Sequence, residues 1–141
     1  MKSWKVLIID GQGGGIGKQL TQIIKEAFPS LRIHAVGTNA VATQAMLKAG
    51  ADDGSTGENA VIVGCRKADI IIGPLGIVIA DSLMGEITPK MVIAIGQSNA
   101  VRILIPVNQC DNRIAGIDNY SLSFLMRSCI DQIRQIINNQ D

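Results

Sequence analysis

A doubly wound α/β fold, with a mostly parallel sheet held between two layers of helices, is what this sequence predicts. Three observations carry that prediction. Short apolar runs alternate with helix-periodic segments along the whole chain, as in strands joined by right-handed crossover helices. The composition is 47% apolar but only 3% aromatic, and an aliphatic core suits strands covered on both faces. The first apolar run ends directly in a glycine-rich turn at Asp10-Gly11. With 141 residues, and no internal repeat, linker or low-complexity tract, residues 1–141 are expected to form a single three-layer domain.

Trp4 to Ile9 reads as a buried strand, too short and too apolar for an amphipathic helix. Leu20, Ile23, Ile24, Ala27 and Phe28 then share one helical face, and Pro29 stops that helix. Leu31 to Val36 is a second strand, ending at Gly37-Thr38-Asn39. A second helix carries Val41, Ala42, Ala45, Met46 and Ala49 on one side and ends at Gly50. Ala51 to Gly57 reads as a polar loop, after which Ser55 and Glu58 have the spacing of a capping box for a third helix. Asp69 to Ile72 is a strand ending at Gly73-Pro74. Gly76 to Ile87 is ambiguous, with a short strand at Ile77-Val78-Ile79 and a turn at Gly85 as its best reading. Thr88-Pro89 is a cap and first helical turn. Val101 to Ile105 and Arg113 to Ile117 are the last two expected strands, and Ser121 caps the final helix.

Composition excludes several classes of function. The formal net charge is +1, without the basic, aromatic-rich patch that a nucleic-acid partner requires. The three cysteines, Cys65, Cys110 and Cys129, are odd in number and lack metal-site spacing, so free thiols in a reducing cytoplasm and no metal are expected. After Met1-Lys2-Ser3 the apolar run is only a strand long and ends in Asp10, unlike a signal peptide. No apolar run reaches the ~20 residues needed to span a bilayer.

The strongest chemical signal is Asp10-Gly11-Gln12-Gly13-Gly14-Gly15-Ile16-Gly17, between a strand and a helix. Glycines there let the backbone approach a ligand closely. The helix start adds unpaired N–H groups and the positive end of a dipole, worth roughly 0.3–1 kcal/mol to an anion, and up to about 2 when partly buried. A small anionic ligand is therefore expected, with NAD, NADP or another nucleotide as the cofactor class. The alternative is a tight turn with no ligand, for which five glycines in seven residues are an excess. A P-loop is ruled out, because it would need glycine at Gln12 and Ser or Thr at Gln19.

The register G-x-G-x-x-G from Gly11 puts Ile16 where its last glycine belongs. Gly11-x-x-x-Gly15-Ile16-Gly17 instead resembles the T-G-x-x-x-G-I-G loop of short-chain dehydrogenases/reductases, with Asp10 in place of the threonine. That resemblance covers only the first βαβ unit and implies dinucleotide binding without that family's chemistry. Its catalytic Tyr-x-x-x-Lys is missing, since Phe124 stands four residues after Tyr120. The second strand also lacks the terminal Asp or Glu that accepts a ribose hydroxyl, offering Thr38 and Asn39, and no Arg follows to take a 2′-phosphate. Asp10 itself sets a carboxylate near the expected phosphate.

A broader resemblance covers nearly the whole chain. Its motifs are Asp10 to Lys18, Gly37-Thr-Asn39, Ala49-Gly-Ala51, Thr56-Gly-Glu-Asn-Ala60, Gly73-Pro74, Gly85-Glu-Ile-Thr-Pro89 and Ile103-Leu-Ile-Pro106. Together they are similar to an uncharacterised short bacterial family, domain of unknown function 3842, which implies a small cytoplasmic protein and supplies no activity.

Ligands of open α/β sheets sit beyond the carboxyl ends of the strands. Besides the glycine loop, that edge should present Thr38-Asn39, Gly73-Pro74-Leu75-Gly76 and Pro106-Val107-Asn108, with Ser55 to Asn59 nearby. Such a lining favours binding over acid–base chemistry, so no catalytic residue is assigned. Glu58 is read as a cap, Cys110 as a plain thiol, and His34, mid-strand, as structural. Asp81 and Glu86 are read as solvated loop charges, with a carboxylate pair as the alternative, and Lys18 as either a phosphate contact or a solvated residue of the first helical turn. On the Thr88 helix, Met91, Val92, Ile93 and Ile95 spread over an arc of roughly 200°, wider than one buried face needs. The reading that covers these features best is a Rossmann-like nucleotide-binding homodimer that pairs through this helix. The alternatives are a small enzyme acting on a nucleotide or phosphorylated metabolite, and a structural homo-oligomer.

Overall fold

The computed structural model describes residues 2–107 and 111–139. Strands β1 (Lys5–Asp10), β2 (Arg32–Gly37), β3 (Asp53–Thr56), β4 (Ile70–Pro74) and β5 (Val101–Ile105) alternate with helices α1 (Gly15–Ala27), α2 (Ala40–Lys48), α3 (Glu58–Lys67), α4 (Pro89–Gln97) and α5 (Leu122–Asn138). The strands form one five-stranded sheet in the order β3-β2-β1-β4-β5, parallel throughout. This is a three-layer, Rossmann-like α/β fold, as the alternating pattern predicts.

Strand alternation divides the core. Val6 and Ile8 face Leu20 and Ile24 of α1, Met46 of α2 and Met126, Cys129 and Ile133 of α5. Leu7 and Ile9 face the opposite layer, with Val61 and Cys65 of α3 and Met91 and Ile95 of α4. Because β1 is covered on both sides, its residues from Val6 to Asp10 are all buried. The chain winds outward one way from β1 through β2 to β3 and the other way through β4 to β5. The carboxyl ends of β1 and β4 therefore flank the topological switch, where such sheets hold ligands.

Five local expectations are corrected. The polar loop at 51–57 contains β3, whose Asp53, Gly54, Ser55 and Thr56 pair with His34, Ala35, Val36 and Gly37. That pairing consumes Ser55, so the capping box does not form and Gly57 (φ 101°) precedes α3 instead. The expected strand at Ile77–Ile79 is instead a 3-10 turn, Leu75–Val78. Arg113 to Ile117 is not a strand, so the outer edge of β5 has no partner among the described residues. The caps at Thr88 and Ser121 form as expected, accepting from the N–H groups of Met91 and Phe124. On α2, Val41 turns out to solvent while Ala42, Thr43 and Met46 are buried.

Candidate functional site

The glycine loop crosses from β1 to α1 at the switch point, and its five glycines fall into two groups. Three are fixed by packing. A Cβ on Gly11 would stand 2.6 Å from Thr38 Oγ1, and one on Gly17 2.5 Å from Met46 Sδ. Gly14 has φ +75° and backs onto Ala42, where a Cβ would lie 2.8 Å from Cα. Gly13 and Gly15 are different, because a Cβ on either would meet nothing within 4 Å. Both are exposed. Neither N–H has a partner among the described residues, whereas Gly14 N–H donates to Gly11 O and Lys18 N–H to Gly14 O.

Asp10 is buried, 4% exposed, and its carboxylate lies beneath the loop. Oδ1 accepts from Gly11 N–H at 2.8 Å and Oδ2 from Gly17 N–H at 2.6 Å, tying the two ends of the loop together. Desolvation raises its pKa, opposed by the N–H groups of Gly17 and Gly11 and reinforced by the nearby charge of Glu86.

Glu86 is the residue the sequence reading misplaced. It is not a solvated loop charge and does not pair with Asp81. Its Oε1 accepts from Gln12 N–H at 2.9 Å, from Thr38 Oγ1 at 2.5 Å and from Asn39 Nδ2 at 2.8 Å. The Thr38 hydroxyl, with the Gln12 N–H and the Asn39 amide, holds this carboxyl below its ordinary range despite desolvation. Asn39 also donates to Gln12 O and caps α2 by accepting from Ala42 N–H. The carboxylate missing from the end of β2 is thus delivered there by a segment from across the switch point.

That segment, residues 79–87, is a chain of turns laid over the loop. Asp81, Leu83 and Met84 adopt positive φ of 66°, 53° and 57°, followed by Gly85 at 87°. Non-glycine residues in this region cost roughly 1–2 kcal/mol each, so the turn persists only because both ends are held. Ile87 is buried in the core, Asp81 N–H donates to Ile87 O at 2.7 Å, and Ser82 Oγ donates to Gly76 O. Leu83 rests against Gly11, where a Cβ would stand 3.0 Å from its Cδ1. Nothing in the sequence links residue 86 to residue 12; only the fold brings them together.

The remaining expected residues are distributed around this edge. Gly73 and Pro74 end β4 and are buried, and a Cβ on Gly73 would collide with Ile9 O. Gln12 (φ 51°) and Ile16 complete the loop. Lys18 is exposed on the first turn of α1, and Glu58 opens α3. Asn108 and Cys110 lie outside the described residues. Cys65 and Cys129 are buried free thiols, pushed up by desolvation to about 11 and about 12, which leaves them inert as nucleophiles. Among the described residues no group of three His, Cys, Asp or Glu side chains could hold a metal. Nor is any helix there long and apolar enough to cross a membrane.

A parallel sheet of order 3-2-1-4-5 with a glycine turn at its switch point defines a Rossmann-like α/β protein. More narrowly, the chain belongs to the family described as domain of unknown function (DUF3842), whose model matches residues 5–138. This bears out the whole-chain resemblance, while the loop's likeness to short-chain dehydrogenases finds no counterpart in it. No curated protein sequence matches the chain. Among solved structures it is similar to a nucleoside-diphosphate-sugar epimerase from Pseudomonas aeruginosa, with 14% identity and a TM-score of 0.50, covering 99% of this chain but 50% of the epimerase. The chain thus spans about half the epimerase's length. It is also similar to a dodecameric FMN-dependent Ubix-like decarboxylase from Escherichia coli, with 14% identity and a TM-score of 0.45, covering 92% and 93% of the two chains. At such identity the likeness to the epimerase speaks for the fold alone.

Proposed function

We propose that this protein binds a nucleotide across the carboxyl edge of the sheet, with its phosphates over Gly13 and Gly15 and a ribose at the Asn39–Glu86 corner. The observation that carries this reading is the pair of glycines without a packing role. Their exposed, unpartnered N–H groups, at the start of a 13-residue helix, suit an anion, and the open space above them suits its close approach. Asp10 does not oppose this, because its oxygens are turned to the inner N–H groups of Gly11 and Gly17. The three donors that hold Glu86 all converge on Oε1, which leaves Oε2 to accept a ribose hydroxyl. A 2′-phosphate would meet that carboxylate, so a nucleotide with free ribose hydroxyls, such as NAD, is favoured over NADP. The epimerase of similar fold acts on a nucleoside-diphosphate sugar, a ligand of the same chemical class.

A thermal-shift panel of NAD, NADP, flavins, ATP, coenzyme A and S-adenosylmethionine tests the reading. A ligand at 100 times its Kd adds about 2.7 kcal/mol, which for a chain of this size raises Tm by roughly 5–15 °C. NAD or another nucleotide with free ribose hydroxyls is expected to shift Tm more than NADP. No shift from any nucleotide at millimolar concentration would remove the proposal and leave the loop as a turn. The binding unit is taken to be a homodimer that pairs through α4.

A further inference from the structure

On the face of the sheet beside α3, away from the glycine loop, the register of two strands assembles a second set of chemistry-bearing side chains. His34 of β2 lies directly opposite Asp53 of β3, and Ser55, two residues further along β3, projects on the same side as Asp53. His34 Nδ1 is 2.5 Å from Asp53 Oδ1, and His34 Nε2 is 2.8 Å from Ser55 Oγ. A carboxylate only accepts, so Nδ1 carries the proton in this pair. In the neutral ring Nε2 is then the acceptor of the Ser55 hydroxyl proton. Arg32 Nη2 fixes the other carboxylate oxygen of Asp53 at 3.1 Å.

We propose that Ser55, His34 and Asp53 form a serine-nucleophile site that hydrolyses small acyl esters bearing a negative charge. The order hydroxyl, imidazole, carboxylate is that of a nucleophile, its base and the group that orients the base, which is recognised by geometry whatever the fold. The three residues line a cleft of about 650 Å³. Asn59 and Ala60, in the first turn of α3, line the same cleft. Val61 N–H is the first in α3 to find a carbonyl, that of Gly57, and no side chain caps the helix. The N–H groups of Glu58, Asn59 and Ala60, ahead of it in the helix, have no carbonyl within α3 to pair with. Lys5, Arg32 and Lys67 also border the cleft and outnumber Asp53, which selects an anionic acyl substrate.

The balanced reaction needs only water as co-reactant. Ser55 Oγ attacks the ester carbonyl carbon while His34 Nε2 takes the hydroxyl proton. The carbonyl carbon's bond to the leaving oxygen breaks, and His34 returns that proton to the departing alcohol. Water then attacks the acyl-Ser55 ester, giving a proton to His34. Collapse releases the carboxylic acid, and the proton restores the Ser55 hydroxyl.

The test treats the full chain with a fluorophosphonate serine probe, and separately with mono-4-nitrophenyl succinate and 4-nitrophenyl acetate. Peptide mapping by mass spectrometry is expected to find the probe on Ser55, with the succinate ester cleaved faster than the acetate. Ser55→Ala should lose both labelling and hydrolysis. His34→Gln should slow labelling at least about 100-fold, the lower range for loss of a general base, with circular dichroism unchanged. Mapping on the unmodified protein needs no variant to fold. An unlabelled chain, or a label on another residue, would overturn the proposal and make the trio a hydrogen-bonded ladder on an uncovered sheet face. Hydrolysis that persists undiminished in folded Ser55→Ala would overturn it equally.

Discussion

At the scale of single residues, the glycine loop separates what folding requires from what binding would use. Gly14 needs its left-handed φ and its closeness to Ala42, so Gly14→Val should destabilise the fold by at least about 1–3 kcal/mol through strain and overpacking. Gly13→Val meets open space and should leave Tm within a few degrees of the parent while abolishing the nucleotide-induced shift. Differential scanning calorimetry with and without nucleotide reads both effects. A Gly13→Val protein that keeps the full shift would show the ligand lying elsewhere. The sequence displays the density of glycines but not this division, because a run of five identical residue types says nothing of which neighbours lie behind each one. Asp10 is a similar case. Its place beside a glycine turn reads as a repulsive charge near phosphate, whereas in the folded chain its oxygens turn inward to Gly11 and Gly17.

Among elements, legibility follows the strength of the apolar period. β1, β2, β4 and β5 are aliphatic and bounded by turns, and their ends were readable to within a residue or two; the caps of α4 and α5 were readable from Thr88-Pro89 and Ser121. β3 has no apolar residue at all; it is a strand because β2 offers it a free edge, which no local pattern reports. The short apolar stretch around Ile114 and Ile117 reads as a strand, but these residues border the groove between β5 and α5 without pairing. Least legible was the 79–87 segment, whose conformation is set by tertiary bonds through Glu86. Glu86→Ala should therefore loosen it. Hydrogen–deuterium exchange at the Asp81 and Ile87 amides is expected to speed up at least about tenfold, which corresponds to about 1.4 kcal/mol of lost local stability, while β1 amides stay protected. Acid should act the same way. The Glu86 carboxyl is held below its ordinary value of 4.5, so its contribution is complete above that value and is lost as pH falls through the lower, folded-state pKa. Equal exchange in parent and variant across that window would show that Glu86 does not hold the segment.

At the scale of the whole molecule, α4 is incompletely covered. α4 buries Met91 and Ile95 against the sheet, and the 79–87 segment adds Ile87 to that core, but neither reaches Ile93, which is 56% exposed. Ile93 borders a groove of about 550 Å³ between α3 and α4, shared with Ile62, Cys65 and Ala94. A single exposed isoleucine is ordinary, but this one adjoins a groove that joins apolar residues with Arg66, Lys90, Gln97, Ser98 and Asn99, and apolar surface edged by polar groups is of the kind that marks a protein contact. Two-fold pairing is the commonest way for one chain to cover such a patch, because the same surface serves both subunits. Multi-angle light scattering of the parent protein at micromolar concentration is accordingly expected to give twice the chain mass, and Ile93→Glu to give the single-chain mass with an unchanged circular dichroism spectrum. A competing surface is the unpaired edge of β5, where Val101, Ile117, Tyr120 and Phe124 are exposed. Ile93→Glu acts on the first surface and not the second, so a variant that remains dimeric would transfer the interface to the β5 edge. A parent protein that runs as a monomer would remove self-association through either surface.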